Sequence, residues 1–235
     1  MKNFTPRLEI LPSVQRHLWQ QLAPIQEIGY ILYGGTAIAL RLGHRYSVDF
    51  YFFTSRPVDP DELRSRLPFL LDSDPIQQHK NTFEVQTYSG VKLSFFGGLD
   101  FGRVGTPEIT QDGVTAVASL DDLMATKLKV ILQRSEKKDY QDIAAMLRAG
   151  VKIEIGLAAA EQMYRPHFSP VHALKALVYF EGGDLAELSK DDRQVLIATP
   201  PRVKSLPVVI RTMKLDALPE AEFPPTKKNQ GPTLN

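Results

Sequence analysis

The spacing of apolar residues divides the first half of the chain into short helices and strands. Val14, Leu18 and Leu22 recur at helical spacing and predict a first helix over residues 13–29, with Ser13 at its N-cap. Alternating or continuous apolar runs, bounded by glycine or proline, predict the elements that follow. These are a strand at 29–34, a helix at 36–42 capped by Thr36, a strand at 48–53, a helix at 60–71, and a hairpin with strands at 82–88 and 91–96.

The pattern changes near residue 118, because apolar residues then recur mainly at helical spacing. Ser119-Leu-Asp-Asp122 has the form of a capping box and opens a helix that we expect to run to Arg134. Further helices are predicted at 137–148, 154–164 and 170–181.

These elements predict an α+β fold, with a small mixed sheet and flanking helices followed by a helical C-terminal part. We assign the mixed-sheet domain to residues 1–118 and the helical domain, which completes a cleft, to residues 119–200. Residues 201–235 are predicted to form an extended tail, and residues 218–235, which lack apolar periodicity, are expected to be flexible.

Composition places the chain among ordinary globular proteins. It has 235 residues, of which 43% are hydrophobic and 23% charged, and a formal net charge of +1. This charge predicts no global attraction to nucleic acid or membrane, so any contact with a polyanion must be local. The lack of cysteine excludes disulfides and thiolate zinc sites, and the sequence shows no signal peptide or membrane-spanning run. We therefore expect a cytoplasmic protein without a membrane partner.

Residues 33–53 combine a glycine turn with an acidic residue on an apolar strand. Gly34 and Gly35 lie between a predicted strand and a helix, where the backbone can turn tightly and free N–H groups can attract a phosphate. Such a turn also occurs for purely structural reasons. Asp49 and Tyr51 share one face of the next strand, where a buried acid needs a cation, a donor or water. Asp49 can therefore serve a ligand or simply hydrogen-bond the turn.

A lysine interrupts the apolar stripe of the helix predicted at 119–134. Lys127 lies four residues after Leu123 and four before Ile131, both of which belong to that stripe. Its ammonium group must either extend past the apolar surface to solvent or point into a polar cleft. Asp139 and Asp142 follow on one face of the next helix, where interaction with the helix dipole can by itself explain the pair.

Two segments of the chain, in this order and at this spacing, resemble one known family. They are GGTAIALRLGHRYSVDFYFF and, further along, DLMATKLKVILQRSEKKDYQDIAAML. Both closely resemble the AbiEii/AbiGii nucleotidyltransferases, the toxin components of type IV toxin–antitoxin systems that act in abortive infection. The resemblance runs from about residue 25 to 150 and is weaker to about 200. It implies a nucleotidyltransferase fold, transfer of a nucleotidyl group from an NTP to an RNA or protein acceptor, and a cognate antitoxin.

The resemblance also implies roles for individual residues. Gly34, Gly35 and Thr36 match the family's glycine turn, which holds the nucleotide phosphates. Asp49 matches the first acid of its Asp-x-Asp motif, which holds Mg²⁺. Lys127 matches its later lysine, which grips the triphosphate.

The family's Lys-Asp-x-x-Asp segment maps to residues 138–143, and this places Asp139 where it can orient Lys127 or a nucleophile. Asp49, Lys127 and Asp139 are therefore the predicted catalytic residues. Ser47, Arg41 and Arg45 border the site and are predicted to contact the nucleotide.

The sequence departs from the family pattern at the metal site. Tyr51 replaces the second acid of Asp-x-Asp, and a neutral phenol is a poor ligand for Mg²⁺. The position where a third acid is expected on a later strand is Ser94, while Glu84 is a substitute whose direction the sequence leaves open. Two-metal catalysis is therefore not expected, although one carboxylate plus substrate phosphates can hold Mg²⁺ weakly.

Two interpretations of different class follow. The chain is either a working nucleotidyltransferase with a modified metal site, or a degenerate member of the fold that acts as a nucleotide- or partner-binding module. Arg41, His44 and Arg45 also form a basic stretch that either is a solvated face or contacts an acceptor nucleic acid.

Overall fold

A single mixed sheet organises residues 3–215, the part of the chain that the computed structural model describes. Its strands are β1 (Asn3–Phe4), β2 (Ile31–Tyr33), β3 (Asp49–Phe53), β4 (Asp74–His79), β5 (Thr82–Gln86), β6 (Lys92–Phe96), β7 (Glu108–Thr110) and β8 (Ala116–Val117). Across the sheet the order of these strands is β1-β7-β8-β2-β3-β6-β5-β4. β3 is antiparallel to β2 and parallel to β6, so it occupies the middle of the sheet.

Strand β3 separates the core from the cleft by the alternation of its side chains. Phe50 and Phe52 are fully buried on one face, where Phe52 stacks on Phe95 with ring centroids 5.4 Å apart. Asp49, Tyr51 and Phe53 lie on the other face and are only partly buried. The two-residue period of a strand therefore gives one apolar face and one face that is open to a ligand.

The helices flank this sheet and form most of the second half of the chain. They are α1 (Ser13–Trp19), α2 (Pro24–Glu27), α3 (Gly34–Leu42), α4 (Pro60–Arg66), α5 (Leu120–Val130), α6 (Lys137–Arg148), α7 (Ile153–Tyr164), α8 (Pro170–Leu177) and α9 (Lys190–Ala198). α3 packs against both α5 and α6 and so joins the two halves. Within residues 3–215, every helix is too short or too polar to span a lipid bilayer. The predicted α+β class, a mixed sheet followed by helices, is confirmed.

The N-cap half of the capping box predicted at the start of α5 is present, with Ser119 at the N-cap position. The Asp122 backbone N–H donates to the Ser119 hydroxyl at 3.1 Å, and that hydroxyl donates to the Asp122 carboxylate at 2.8 Å. These two bonds satisfy a backbone donor of the first turn and fix where α5 begins.

Several predicted helices are too long, and proline explains two of the errors. The helix predicted at 13–29 is divided into α1, a 3₁₀ turn and α2, because Pro24 has no N–H to donate and instead begins a new helix. The helix predicted at 60–71 ends at Arg66, because Pro68 disfavours the helical conformation at the residue before it. The helix predicted at 170–181 ends at Leu177.

The prediction also omitted part of the sheet. All side chains of β4 are exposed, so this edge strand carries no apolar alternation that could reveal it. β1, β7 and β8 are two or three residues long and escape any periodicity argument. These strands lie toward the two edges of the sheet, and the predicted central strands and hairpin are all present.

The described part of the predicted 201–235 tail is anchored to the first half of the chain. Arg103 and Thr212 exchange two backbone hydrogen bonds of 2.8 and 2.7 Å. Leu215 is fully buried, and its N–H donates to the Ser55 hydroxyl at 2.9 Å. The expectation of flexibility at 218–235 falls outside the described residues.

Candidate active site

A cleft of about 360 Å³ lies between the open face of β3 and one side of α5. The sheet, the turn after β2 and the loop before β3 form its floor, and α5 with the start of α6 forms its wall. The floor residues are Tyr33, Gly34, Gly35, Arg45, Tyr46, Ser47, Val48, Asp49, Tyr51, Phe53 and Phe96. The wall residues are Thr126, Lys127, Val130, Gln133, Arg134 and Lys138. The predicted pair Asp49 and Lys127 therefore faces the same cleft.

Gly34 and Gly35 are required at this turn for different reasons. Gly34 has a φ of +77°, a left-handed conformation that favours glycine, and a Cβ there would lie 3.1 Å from Cδ2 of Tyr51. Gly35 does not have a positive φ, but a Cβ there would overlap Nη2 of Arg45. The turn thus leaves room both for a ligand and for the Arg45 guanidinium group.

Thr36 is buried beneath the cleft and does not line it. Its hydroxyl is 2.7 Å from the Ser47 hydroxyl and donates to the backbone carbonyl of Asp49. The predicted N-cap role is wrong, because α3 begins two residues earlier, with Tyr33 at the N-cap position. Thr36 instead fixes the start of β3 and so the position of Asp49, while Ser47 does line the cleft.

Tyr51 lies beside Asp49 on the floor of the cleft. Its ring is nearly parallel to that of Phe96, with centroids 6.4 Å apart and an interplanar angle of 13°. Burial, together with the nearby charge of Asp49, raises the pKa of Tyr51 above that of a free phenol. Tyr51 is therefore a neutral group at pH 7.

Lys127 is buried and held by two carboxylates. Its side chain is 7% exposed, and Nζ lies 2.6 Å from Oδ1 of Asp139 and 2.6 Å from Oδ2 of Asp142. The structure thus places the ammonium group in a polar network beside the cleft, and not at the end of a solvated side chain. Salt bridges within this network explain how a charge is tolerated within the apolar stripe of α5.

Asp139 and Asp142 remain ionised because cations surround them. Burial alone would raise the pKa of Asp139, but the charge of Lys127 and a 2.8 Å hydrogen bond from Arg134 Nε lower it below its ordinary value. Burial acts in the same way on Asp142, whose pKa is lowered by His44, Lys127 and Arg45. Asp139 does not line the cleft, so its predicted orienting role acts through its bond to Lys127.

The three basic residues of the stretch 41–45 separate into two groups. Arg45 lines the cleft and donates to Asp142 through Nε at 2.7 Å and Nη2 at 3.0 Å. His44 Nε2 is 2.7 Å from the same carboxylate. Arg41 instead pairs with Glu108 and donates to the carbonyl of Ala118 at 2.9 Å.

The structure places Arg41 away from the cleft, so we do not include it among the proposed nucleotide contacts. Arg41 is absent from the cleft lining, its side chain is only 8% exposed, and its guanidinium lies 4.2 Å from the centre of the Phe4 ring. It ties α3 to the end of the sheet. His44 and Arg45 are both bound to Asp142, so this stretch is not a freely solvated basic face, and its contact with an acceptor nucleic acid stays a prediction.

The cleft does not fit a resident magnesium ion held by paired acids. Among the described residues that line it, Asp49 is the only carboxylate. Glu84 lies on the same sheet face as Tyr51, since both are in register with Ser94, but it accepts a 2.7 Å hydrogen bond from Ser94 and lies 3.4 Å from Lys92 Nζ. Within residues 3–215, no group of three acidic or histidine side chains is arranged to hold a metal ion.

Sequence reasoning missed several residues of the cleft. Thr126 and Val130 lie four residues apart on one face of α5, and Gln133 and Arg134 lie in the segment that follows this helix. The position of Lys127 on the same helix was a signal that this face borders a cleft. The central place of Asp142, by contrast, depends on three elements that are distant in sequence.

These features define the class of the protein. A mixed sheet in which a glycine turn, a strand acid and a helical lysine meet at one cleft is nucleotidyltransferase-like. The chain matches the family described as Nucleotidyl transferase AbiEii toxin, Type IV TA system, over residues 18–211. Because this match spans most of its length, the chain belongs to that family, and the predicted family is confirmed over a longer range than the sequence motifs suggested.

The chain is also similar to individual proteins. An uncharacterized protein of Aquifex aeolicus (strain VF5) is 31% identical over 157 residues, which cover 65% of this chain and 74% of that protein. Among solved structures, an antigenic nucleotidyltransferase-like protein from Paracoccidioides brasiliensis aligns with 85% of this chain and 92% of its own, at 17% identity and a TM-score of 0.41.

Proposed function

We propose that the cleft binds a nucleoside triphosphate and that the chain transfers a nucleotidyl group from it to a hydroxyl of an RNA or protein acceptor. The observation that carries this proposal is the convergence of the Gly34-Gly35 turn, Asp49 and Lys127 on one cleft. Family membership supports the same reaction class and implies a cognate antitoxin as a partner.

The two ends of the cleft suit the two ends of a nucleotide. Asp49 lies at the start of β3 and Arg45 in the loop before it, and Lys127 faces them from α5. The N–H groups of the first turn of α3 lie at the same end of the cleft. Phe53 and Phe96 lie at the other end, about 13 Å further along the strand. We place the triphosphate at the charged end and the base at the aromatic end.

The chain's contribution to the reaction is positioning and charge neutralisation. The acceptor hydroxyl attacks the α-phosphorus and loses its proton to water, the bond from that phosphorus to the bridging oxygen breaks, and pyrophosphate leaves. Lys127 and Arg45 neutralise charge that develops on the phosphates, and the low exposure of Lys127 strengthens its effect. Asp49 is the residue that would contact a magnesium ion bound to the nucleotide substrate, and such an ion would supply further neutralisation of the phosphate charge.

One observation favours a second function. Tyr51 occupies the position of the second motif acid, and this loss is expected in a fold that binds a nucleotide or a partner without catalysing transfer. The two functions differ in their dependence on Mg²⁺, because a binding module that relies on cationic side chains needs no metal.

Transfer of label from each NTP to total cellular RNA and to protein tests the proposal. The wild-type chain should label one acceptor in the presence of Mg²⁺, and Asp49→Asn and Lys127→Met should each lower the rate by about a hundredfold or more. Lys129→Met is the matched control on α5, because its ammonium contacts the backbone carbonyl of His167 and does not line the cleft. Nucleotide binding without any transfer would establish the binding module instead.

A further inference from the structure

We infer that Asp142 is a positioning residue, which holds Arg45 and Lys127 in the geometry that receives the triphosphate, and that Gly35 provides the space this arrangement needs. The inference rests on the proposed function, because it concerns how Arg45 and Lys127 are held in place to bind the triphosphate. It goes beyond that function by naming a residue that does not line the cleft.

Asp142 is fully buried and binds groups from two other parts of the chain. Its Oδ1 accepts from Arg45 Nε at 2.7 Å and from His44 Nε2 at 2.7 Å. Its Oδ2 accepts from Arg45 Nη2 at 3.0 Å and lies 2.6 Å from Lys127 Nζ. The two carboxylate oxygens therefore contact two cations of the cleft, Arg45 and Lys127, at once.

This shared contact converts two flexible side chains into a fixed pair. Arg45 comes from the loop between α3 and β3, and Lys127 comes from α5, so their relative position is not set by either element alone. The bidentate geometry fixes the plane of the guanidinium group, which carries further N–H donors for a phosphate. Such pre-organisation avoids the entropy loss of ordering both side chains when the ligand binds.

The two acids of α6 have separable roles. Asp139 contacts Lys127 at 2.6 Å and Arg134 at 2.8 Å, whereas Asp142 contacts Lys127 and Arg45. Lys127 therefore keeps one counter-ion when Asp142 is removed, but Arg45 loses its bidentate partner. The effect of changing Asp142 should consequently follow the effect of changing Arg45.

Gly35 offers an independent way to disturb the same arrangement. A Cβ at this position would overlap Nη2 of Arg45 and would lie 3.3 Å from Oδ2 of Asp142. Because the φ of Gly35 is not positive, alanine suits the backbone and is a better helix former than glycine. Gly35→Ala should thus move the guanidinium group without destabilising the fold through backbone strain.

The test measures the dissociation constant of NTP, together with KM and kcat where transfer is observed. The proteins compared are the wild type, the single variants Asp142→Asn, Gly35→Ala and Arg45→Met, and the double variant Asp142→Asn/Gly35→Ala. Each single change should raise the dissociation constant and KM by about tenfold or more, and the double variant should be little worse than its worse single variant. Asp192→Asn is the control. Asp192 is a buried carboxylate of α9 that pairs at 2.7 Å with Arg148 of α6, and neither residue lines the cleft.

The outcomes separate the two proposals. If the wild type binds NTP and folded Asp142→Asn binds it equally well, the positioning role is overturned while the proposed function stands. If the wild type binds no NTP, the proposed function fails and the positioning role falls with it. Where Asp142→Asn does not fold, Gly35→Ala decides alone: unchanged affinity in this variant contradicts the inference.

Discussion

Asp142 and Asp122 are both fully buried carboxylates within the first two turns of a helix, yet their pKa values are shifted in opposite directions. Asp122 accepts hydrogen bonds from the N–H groups of Val104 and Gly105 and from the Ser119 hydroxyl. Burial raises its pKa, and these hydrogen bonds offset only part of the rise. Cations that face the cleft surround Asp142, and its pKa is lowered.

The difference shows how the chain uses a buried acid for two purposes. Asp122 accepts from the Ser119 hydroxyl at the N-cap of α5 and from the N–H groups of Val104 and Gly105, and so holds their loop against this helix. None of these donors belongs to the cleft. At Asp142, the donors are the side chains that border the ligand site. The proposed positioning role of Asp142 therefore rests on its contacts with Arg45 and Lys127, which line the cleft, and not on its burial.

The comparison predicts first a difference in stability. Asp142→Asn should lower the free energy of unfolding by about 3–5 kcal/mol, because it leaves Arg45 without its counter-charge and Lys127 with only Asp139. Asp122→Asn keeps one acceptor oxygen and should lower it by about 1–3 kcal/mol. Urea unfolding at pH 7, followed by circular dichroism, measures both values. A larger loss in Asp122→Asn would reverse the comparison.

The second prediction concerns the two arginines that flank His44. Arg45→Met should raise the dissociation constant of NTP by about tenfold or more, because it removes a cation from the cleft. Arg41→Met should change that constant by less than about twofold, since Arg41 is engaged by Glu108 and backbone carbonyls. Titration calorimetry at one ionic strength gives both constants. Equal losses in folded variants would return Arg41 to the nucleotide site.

The third prediction is the effect of acid. A lowered folded-state pKa means that Asp142 stabilises the fold above its unfolded pKa of about 3.9 and that this contribution is lost as the pH falls toward the folded pKa. A raised folded-state pKa gives Asp122 the opposite sign, so its protonation at low pH favours the folded state. Between pH 6 and 3, Asp142→Asn should lose less stability than the wild type, and Asp122→Asn should lose more. Parallel curves for all three proteins would contradict both signs.

The fourth prediction concerns Tyr51, which lies beside Asp49 on the floor of the cleft, opposite the cations of its wall. Tyr51→Asp should strengthen the Mg²⁺ dependence of NTP binding, because two carboxylates on one strand face form a better ligand set for a hard cation. Tyr51→Phe is the control, since it keeps the ring and adds no acid. Titration of NTP with and without Mg²⁺ measures the effect, and identical behaviour of the two variants would show that position 51 does not face the phosphates.

The parts of the site that the sequence could predict are those set by local periodicity. The alternation of β3 placed Asp49 and Tyr51 on one face, and the interrupted stripe of α5 drew attention to Lys127. Both signals arise within a single element, where a strand has a period of 2 and a helix a period of 3.6. The structure shows the same residues facing the cleft.

The parts that could not be predicted depend on which elements meet. Arg41 and Arg45 have the same charge and lie four residues apart, but Arg41 reaches the end of the sheet and Arg45 reaches α6. Spacing alone likewise predicted for Asp142 an interaction with the helix dipole or a capping role. Its actual partners, His44, Arg45 and Lys127, lie in two segments that are distant in sequence. Pairing of charges across elements is a property of the packed fold, and one sequence does not reveal it.

A crystal structure of the chain with a non-hydrolysable NTP and Mn²⁺ tests the central claim most directly. The account predicts that triphosphate oxygens lie within about 3.5 Å of Lys127 Nζ and the Arg45 guanidinium group, with Asp49 beside the metal–phosphate group. A nucleotide bound instead in the groove between α7 and α9, which is lined by Arg148, Lys152 and Arg202, would contradict it.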